Sequence, residues 1–436
     1  MKPSILDRSC ALETARKLDD ERAHGKIRGP LHGIPVIIKD CIVTGPDLGM
    51  PTTVGSHIFS KQRAIGHAPV VEQLLEDGLI ILGKGNMTEF LGLKSNDTPI
   101  GWSAVGGQTL SAHRKPEYDE KDQPTCGGSS SGPATAVVAD FSPLGIGTET
   151  SGSVVFPASC CGLYGMKLTP GSVSTKGVFK LSNTFDGLGV FGRTPKDLSL
   201  LTDVIFNKER RNLLGPKALP LGLENMAWEE LGIGMKSQYE AVPTRLKELG
   251  AKVEYPLDRP DGSALKFGED SLVTIAYSEF PKRVEEFILN FDENPDLKTL
   301  DDVIRWNEEH PDALPAPYTT RTELIRARDS KMSEARHQEV CSELRRLVVE
   351  GDLGKLMKDK RLDIVVAPSD STLVSYSAYA GWPIATVPLG RMESNGQPFG
   401  LFVLAREHRE DILLKFMHLF EASFPPAALP TGPFEQ

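Results

Sequence analysis

A chain of 436 residues with 39% hydrophobic content is long enough to bury a sizeable core, and length alone sets a prior of two or three domains at about 150 residues each. The formal net charge is −10 with no basic run, which argues against nucleic acid or an anionic membrane as a partner. No stretch reaches the roughly 18 to 20 apolar residues of a membrane span, and Met1-Lys2-Pro3-Ser4 lacks a signal peptide's apolar core, so a cytoplasmic location is expected.

In chain order, residues 5 to 23 carry helical spacing, 33 to 41 read as a buried strand, 68 to 78 as a helix and 79 to 84 as a strand. The charged, proline-bearing stretch Arg114 to Asp122 predicts an exposed loop, placed at a pocket mouth. A small-residue helix over 132 to 140 and a strand over 143 to 148 follow, then covering helices over 195 to 206, 237 to 249 and 409 to 422. Residues 265 to 358 are charged and largely helical, and the Pro-rich stretch from Phe424 to Pro433 reads as a surface extension. Strands alternating with helices predict an α/β fold whose central mixed, mostly parallel β-sheet is covered by helices on both faces.

The chemistry lies in two serine-bearing glycine turns, Gly127-Gly128-Ser129-Ser130-Ser131-Gly132 and Gly147-Thr148-Glu149-Thr150-Ser151-Gly152-Ser153, and in the upstream Gly33-Ile34-Pro35-Val36-Ile37-Ile38-Lys39-Asp40. A serine hydroxyl is a weak nucleophile at neutral pH and needs a base within hydrogen-bond reach, and a buried, neutral lysine can be that base. Burial disfavours the ammonium form, and Lys39 ends an apolar run that would carry it to the C-terminal edge of a buried strand. Glycines beside the serines allow tight turns and close approach of backbone N–H groups to a substrate oxyanion.

Other chemistries are weaker. The six cysteines, Cys10, Cys41, Cys126, Cys160, Cys161 and Cys341, form no C-x-x-C pair, and the nine histidines form no H-E-x-x-H pattern, so no metal site is expected. Cys160 and Cys161 are expected on a buried helix as small hydrophobes. Gly128-Ser129-Ser130-Ser131-Gly132 formally fits the nucleophile elbow of an α/β-hydrolase, with Asp363 and His408 in the right order, but the residues before Gly128 do not read as a strand.

The stretch from Gly127 to Thr169, together with Gly33 to Asp40, resembles the signature blocks of the amidase signature family. The 24-residue separation of Ser129 and Ser153 matches that family's spacing between bridging serine and nucleophile. Blocks at Met50 to Ser56, Gly83 to Phe90, Gly101 to Thr109, Asp186 to Thr194, Asp363 to Pro368 and Gly381 to Pro388 extend the similarity over nearly the whole chain. The resemblance therefore implies one amidase domain over 1–436, with a signature core at 127–169 and a helical substrate-shaping region at about 265–358. It implies Ser153 as nucleophile, Ser129 as a bridging serine held by a cis peptide bond, Lys39 as general base and Ser130 as a neighbour that helps hold the lysine. The backbone N–H groups of Thr150, Ser151, Gly152 and Ser153 match the oxyanion hole. Trp102, Gln108 and Asp186 fall at family positions and read equally well as bracing residues.

The chain departs from the family pattern at Ser151, where aspartate is common, at Leu168, where proline is usual, and at Val155, where other branches carry arginine. The family's further N-terminal helical segment is expected to be missing. The resemblance leans toward peptide amidases and fungal members, with a role in specialised metabolism resting on that alone. It implies an amidohydrolase acting on a small-molecule amide through an acyl-enzyme, with no cofactor, as a monomer or homodimer. Alternatives are an amidotransferase A-type subunit working in a complex, an α/β-hydrolase-type esterase and an inactive shortened paralogue.

Overall fold

A computed structural model describes residues 8–206, 226–228, 236–257 and 265–424. The first half of the chain alternates as its hydrophobic pattern predicts: α1 (Arg8–Ala23), β1 (Pro35–Lys39), α2 (Pro69–Glu76) and β2 (Ile80–Gly85), then the short pair β3 (Trp102–Ser103) and β4 (Gly107–Gln108). The signature stretch folds as α3 (Ser131–Val138), β5 (Leu144–Glu149), α4 (Val155–Cys161) and β6 (Tyr164–Lys167). It is followed by β7 (Gly187–Gly192), α5 (Pro195–Ile205), β8 (Met226–Trp228), α6 (Lys236–Glu248) and β9 (Val253–Glu254). The charged region from 265 to 358 forms α7 (Leu272–Ile288), α8 (Leu300–Glu309), α9 (Thr322–Arg328), α10 (Glu334–Arg346) and α11 (Leu353–Asp359). The chain closes with β10 (Ile364–Pro368), α12 (Leu373–Ala380), β11 (Ile384–Arg391), β12 (Pro398–Ala405) and α13 (Glu410–Ser423). All but the first residue of the expected Pro-rich surface extension lies outside the described residues.

Ten strands form one mixed sheet in the order β2-β1-β5-β7-β6-β11-β12-β10-β8-β9. Its flanks are parallel, β2-β1-β5 on one side and β10-β8-β9 on the other. Its centre, from β5 through β10, is antiparallel. The parallel flank follows from the crossover helices that join its strands, whereas the short connection from β11 to β12 can only return the chain antiparallel.

Alternation along the strands sends neighbouring residues to opposite faces. Val36, Ile38, Leu144, Ile146 and Val190 join a core with α5 and α13, while Phe191 packs on the other face with Ala134 and Val137 of α3 and Ala158 of α4. Helices therefore cover both faces. The start of α5 is fixed by a capping box, in which the Thr194 side chain accepts from Asp197 N–H and Asp197 accepts from Thr194 N–H, with Pro195 at the first helical position. The 265–358 helices pack on the segments that flank the sheet through aromatic rings, with the Phe287 ring of α7 edge-on to Phe179 at 5.0 Å and 87° and to Phe59 at 5.5 Å. Among the described residues no helix is long and apolar enough to cross a membrane.

The small-residue character of α3 has a packing cause. Gly132 lies so close to the end of β2 that a Cβ there would sit 2.2 Å from the Asn86 nitrogen and 2.3 Å from its oxygen. Both contacts are backbone, so neither can swing away. Gly132→Ala should therefore lower stability by about 3 kcal/mol, despite alanine's better helix propensity, and an unchanged urea midpoint would contradict this packing.

Candidate active site

The buried run Pro35–Lys39 places Lys39 at the C-terminal end of β1, fully enclosed. Its amine meets three oxygens: Ser129 Oγ at 2.8 Å, Thr148 Oγ1 at 2.9 Å and Thr148 O at 3.2 Å. Thr148 is delivered by β5, the parallel neighbour of β1 in the register Ile38 opposite Ile146. Among the described residues no carboxylate ion-pairs with Lys39.

The adjacent lysine shows what that means. Lys84, opposite Ile38 on β2, is equally buried but has an Asp40 carboxylate oxygen 3.5 Å away. It also donates to Ile42 O at 2.6 Å and Thr52 Oγ1 at 2.7 Å. Asp40 in turn accepts from the Thr53 hydroxyl and from Thr53 N–H, so this pair pins the segment that leaves β1. Burial pushes the Lys84 ammonium down and the Asp40 carboxyl up. For Lys39 burial is the largest influence and pushes its pKa down to about 8, against smaller opposing effects of Cys41, Asp186 and Glu149. A neutral amine has two N–H groups and one lone pair, so the two Thr148 oxygens can take the N–H groups and leave the lone pair facing Ser129 Oγ.

Ser130 is also fully buried. Its hydroxyl donates to Thr148 O at 3.1 Å and accepts from Thr148 N–H at 3.3 Å. It therefore bears on Lys39 through Thr148, with no direct bond. The backbone device expected at Ser129 is different in the structure. The cis peptide bonds among the described residues are Tyr255–Pro256 and Ala316–Pro317, so Gly128–Ser129 is trans. Gly127 and Gly128 instead take positive φ of 63° and 34°, which turns the chain toward Lys39 without a non-proline cis bond.

The second turn, from Glu149 to Val155, is clamped from below. Glu149 Oε2 accepts from the N–H groups of Val154 at 2.6 Å and Val155 at 2.9 Å, which satisfies the first turn of α4. Lys167 of β6 donates to Thr150 O at 2.8 Å, and Ser130 N–H donates to Ser153 O at 3.2 Å. The N–H groups of Ser151, Gly152 and Ser153 donate to no acceptor among the described residues.

Ser129, Ser151, Gly152 and Ser153 all line one cavity of about 450 Å³. Thr150 and Ser130 do not line it; Thr150 is buried, with its carbonyl held by Lys167 beneath the turn. The Ser129 and Ser153 hydroxyls share the cavity wall, with no hydrogen bond between them in this structure. Lys39 sits behind Ser129.

Several expected residues lie elsewhere. Arg114 to Asp122 forms a largely exposed loop in which Arg114 pairs with Glu120, and it does not line this cavity. Trp102 packs against the Tyr318 ring at 4.8 Å and Gln108 donates to Ile100 O, which are bracing contacts. The α/β-hydrolase arrangement is not formed: no strand precedes Gly128, and neither Asp363 nor His408 reaches the cavity. His113 is buried, facing Cys161 O at 3.1 Å and the Arg391 guanidinium at 3.0 Å. Burial pushes its pKa down to about 4, so it is a neutral strut. Cys160 and Cys161 lie in α4 with burial raising both thiols.

The sequence reading missed Thr148, Glu149 and Lys167 as supports, although Thr148 and Glu149 lie inside the motif it singled out. It also missed the far wall, built from Ser369, Asp370, Ser371, Val374 and Phe402. These come from an end of the sheet more than 200 residues downstream, and no local pattern announces them.

A mixed sheet wrapped by helices, with a dry lysine behind two serine turns, is the framework of an α/β hydrolytic enzyme. The Amidase family model matches residues 5–376, and the chain belongs to that family. The protein called "Probable amidase" in Arabidopsis thaliana is 30% identical over 90% of this chain and 76% of its own length. The A-type chain of the glutamyl-tRNA(Gln) amidotransferase of Staphylococcus saprophyticus is 28% identical over 96% of this chain and 89% of its own. The peptide amidase of Stenotrophomonas maltophilia superposes with a TM-score of 0.86 at 28% identity, over 99% of this chain and 90% of the other. The chain is thus an amide-hydrolysing enzyme with the amidase fold.

The burial of Lys39 has a direct readout. An NMR titration of its side-chain nitrogen should show a midpoint near 8, well below the ordinary 10.5. A midpoint at the ordinary value would mean that the amine is wetter or better paired than its surroundings indicate.

Proposed function

We propose that the enzyme hydrolyses the carboxamide C–N bond of a small-molecule substrate by acyl transfer to Ser153, with Lys39 as general base and Ser129 as relay. The observation that carries this is the 2.8 Å contact between a buried, carboxylate-free lysine and a serine on the cavity wall. Neutral Lys39 takes the proton of Ser129 and Ser129 that of Ser153. Ser153 Oγ then bonds to the amide carbon, and the carbonyl oxygen becomes an oxyanion facing the free N–H groups of Ser151, Gly152 and Ser153. As the C–N bond breaks, the proton returns through Ser129 to the leaving amine. Water then attacks the acyl-enzyme by the same relay, releasing the acid and restoring Ser153. Ser129 and Ser153 close their hydrogen bond as substrate seats, as catalytic contacts commonly tighten on binding. The fit to peptide amidase over nearly both chains supports a free-standing hydrolase that needs no partner chain.

A fluorophosphonate probe should label Ser153, and Ser153→Ala should abolish labelling and amide turnover by the purified chain. Labelling that persists in that variant would place the nucleophile elsewhere, and turnover that appears only with a partner chain would favour the amidotransferase alternative.

The acylation rate should follow the neutral fraction of Lys39. Because the folded pKa is about 8, the rate falls about tenfold per pH unit below that value and levels off above it. Lys39→Ala should lower acylation by about 10² to 10⁴. Lys39→Arg should not restore it, since a guanidinium stays protonated. A folded Lys39→Arg enzyme with near-normal acylation at neutral pH would sink the lysine-base mechanism.

A further inference from the structure

The far wall of the cavity carries chemistry that the acyl-transfer steps leave unused. Most of its side-chain surface is apolar, from Leu91, Ile100, Phe156, Val374 and Phe402, and Asp370 is the one charged residue lining it among those described. The Asp370 carboxylate is exposed and makes no ion pair or hydrogen bond among the described residues. Its backbone is nevertheless held firmly. Ser369 N–H donates to Gly400 O at 3.1 Å, Gly400 N–H donates to Ser369 Oγ at 3.2 Å, and Ser371 N–H donates to Pro368 O at 3.0 Å. Beside it, Ser371 Oγ is buried with no partner. A buried hydroxyl left unmade is costly, and an unpaired carboxylate next to it offers acceptors to whatever occupies the cavity.

No lining residue supplies a positive charge, and the chain's net charge of −10 adds a field that favours cations over anions at long range. We propose that Asp370, with Ser371, selects amides that carry a cationic group, an ammonium or guanidinium, on the part of the substrate remote from the scissile bond. This deepens the amidase reading above and rests on it for the identity of the reacting end. A cavity of about 450 Å³ is on the order of 10 Å across, so the cation would sit a side chain's length from the carbonyl. The apolar walls would hold the methylene stem between the two, as long basic side chains pack their stems on apolar surface.

The test compares N-acetyl-arginine amide with N-acetyl-citrulline amide, which match in shape and differ in charge. The wild-type enzyme should favour the arginine amide by about tenfold or more in kcat/KM, carried mainly by KM. Asp370→Asn should bring the ratio close to one, Asp370→Lys should invert it, and added salt should shrink it. Calorimetric binding of both amides to Ser153→Ala measures the same preference without chemistry. Tighter binding of the arginine amide that vanishes on Asp370→Asn upholds the inference even if turnover fails, which would sink the catalytic reading alone. Equal binding of the two amides, binding of neither, or a preference that survives Asp370→Asn overturns it while leaving Ser153 labelling to judge the chemistry.

Discussion

Everything at the centre of this protein is arranged around an amine that has been taken out of water and given no counter-ion. Lys39 keeps three oxygen partners, two of them from Thr148 alone. Removing an ammonium from water without a carboxylate is unfavourable enough that the group shifts its pKa instead. Two other buried lysines are treated differently: Lys84 has Asp40 and Lys94 has Glu89 at 2.9 Å, while Lys167, buried with no ion pair among the described residues, gives its amine to the Thr150 carbonyl at 2.8 Å. Lys39 and Lys167 are both without a carboxylate and differ in what they meet: Lys39 faces the hydroxyl of Ser129 on the cavity wall, whereas Lys167 faces a backbone carbonyl. The difference lies in which side chains the neighbouring strands supply.

That arrangement makes demands on the rest of the fold. β1 and β5 must lie side by side and parallel so that Thr148 reaches the end of β1, and α3 must begin just beyond Ser130 so that Ser129 faces the amine. Ser130 locks the two together by both giving a hydrogen bond to Thr148 and taking one from it. Glu149 and Lys167 then fix the next turn from below, with the Glu149 carboxylate on the N–H groups of Val154 and Val155 and the Lys167 amine on the carbonyl of Thr150. Each of these polar groups is buried and would be costly if left unmade, so the turn has little freedom to relax away from its working shape. Preorganisation of this sort lets a site stabilise developing charge without rearranging during the reaction.

Much of this was legible in the sequence, for reasons that can be stated residue by residue. The apolar run ending at Lys39 fixes both a buried strand and the position of its last side chain, because burial and alternation leave no other choice for Val36 and Ile38. The glycines flanking Ser129 and Ser153 announce turns, and their spacing across a short helix and strand brings them to one edge. The antiparallel centre of the sheet was harder to see, since strands such as Gly187–Gly192 carry few β-branched residues and owe their place to partners on both sides. The support residues were hidden for a similar reason: a buried lysine at position 167 reads as a strand end until the carbonyl it binds is known. Asp370 could not be found from sequence at all, because its meaning depends on which cavity the end of β10 faces. The trans bond before Ser129 shows the limit of carrying a backbone detail over by resemblance, since paired glycines can aim the same side chain by another route.

The residues that would perform the chemistry and those that face them across the cavity come from separate parts of the chain. Lys39 and the turns at 127–132 and 149–155 belong to the β1–β5 flank, whereas Ser369 to Val374 cap β10 and open α12 on the far side of the antiparallel centre. The far wall hangs from its own backbone bonds to Gly400 and Pro368 and shares none of the hydrogen bonds that hold Lys39. Variation can therefore act on the two halves at different rates. On the proposed mechanism, substitutions in the 369–374 segment would change what is admitted while leaving the bonds around Lys39 as they are, so a lineage built on this frame could exchange one amide for another without first losing the ability to cut any.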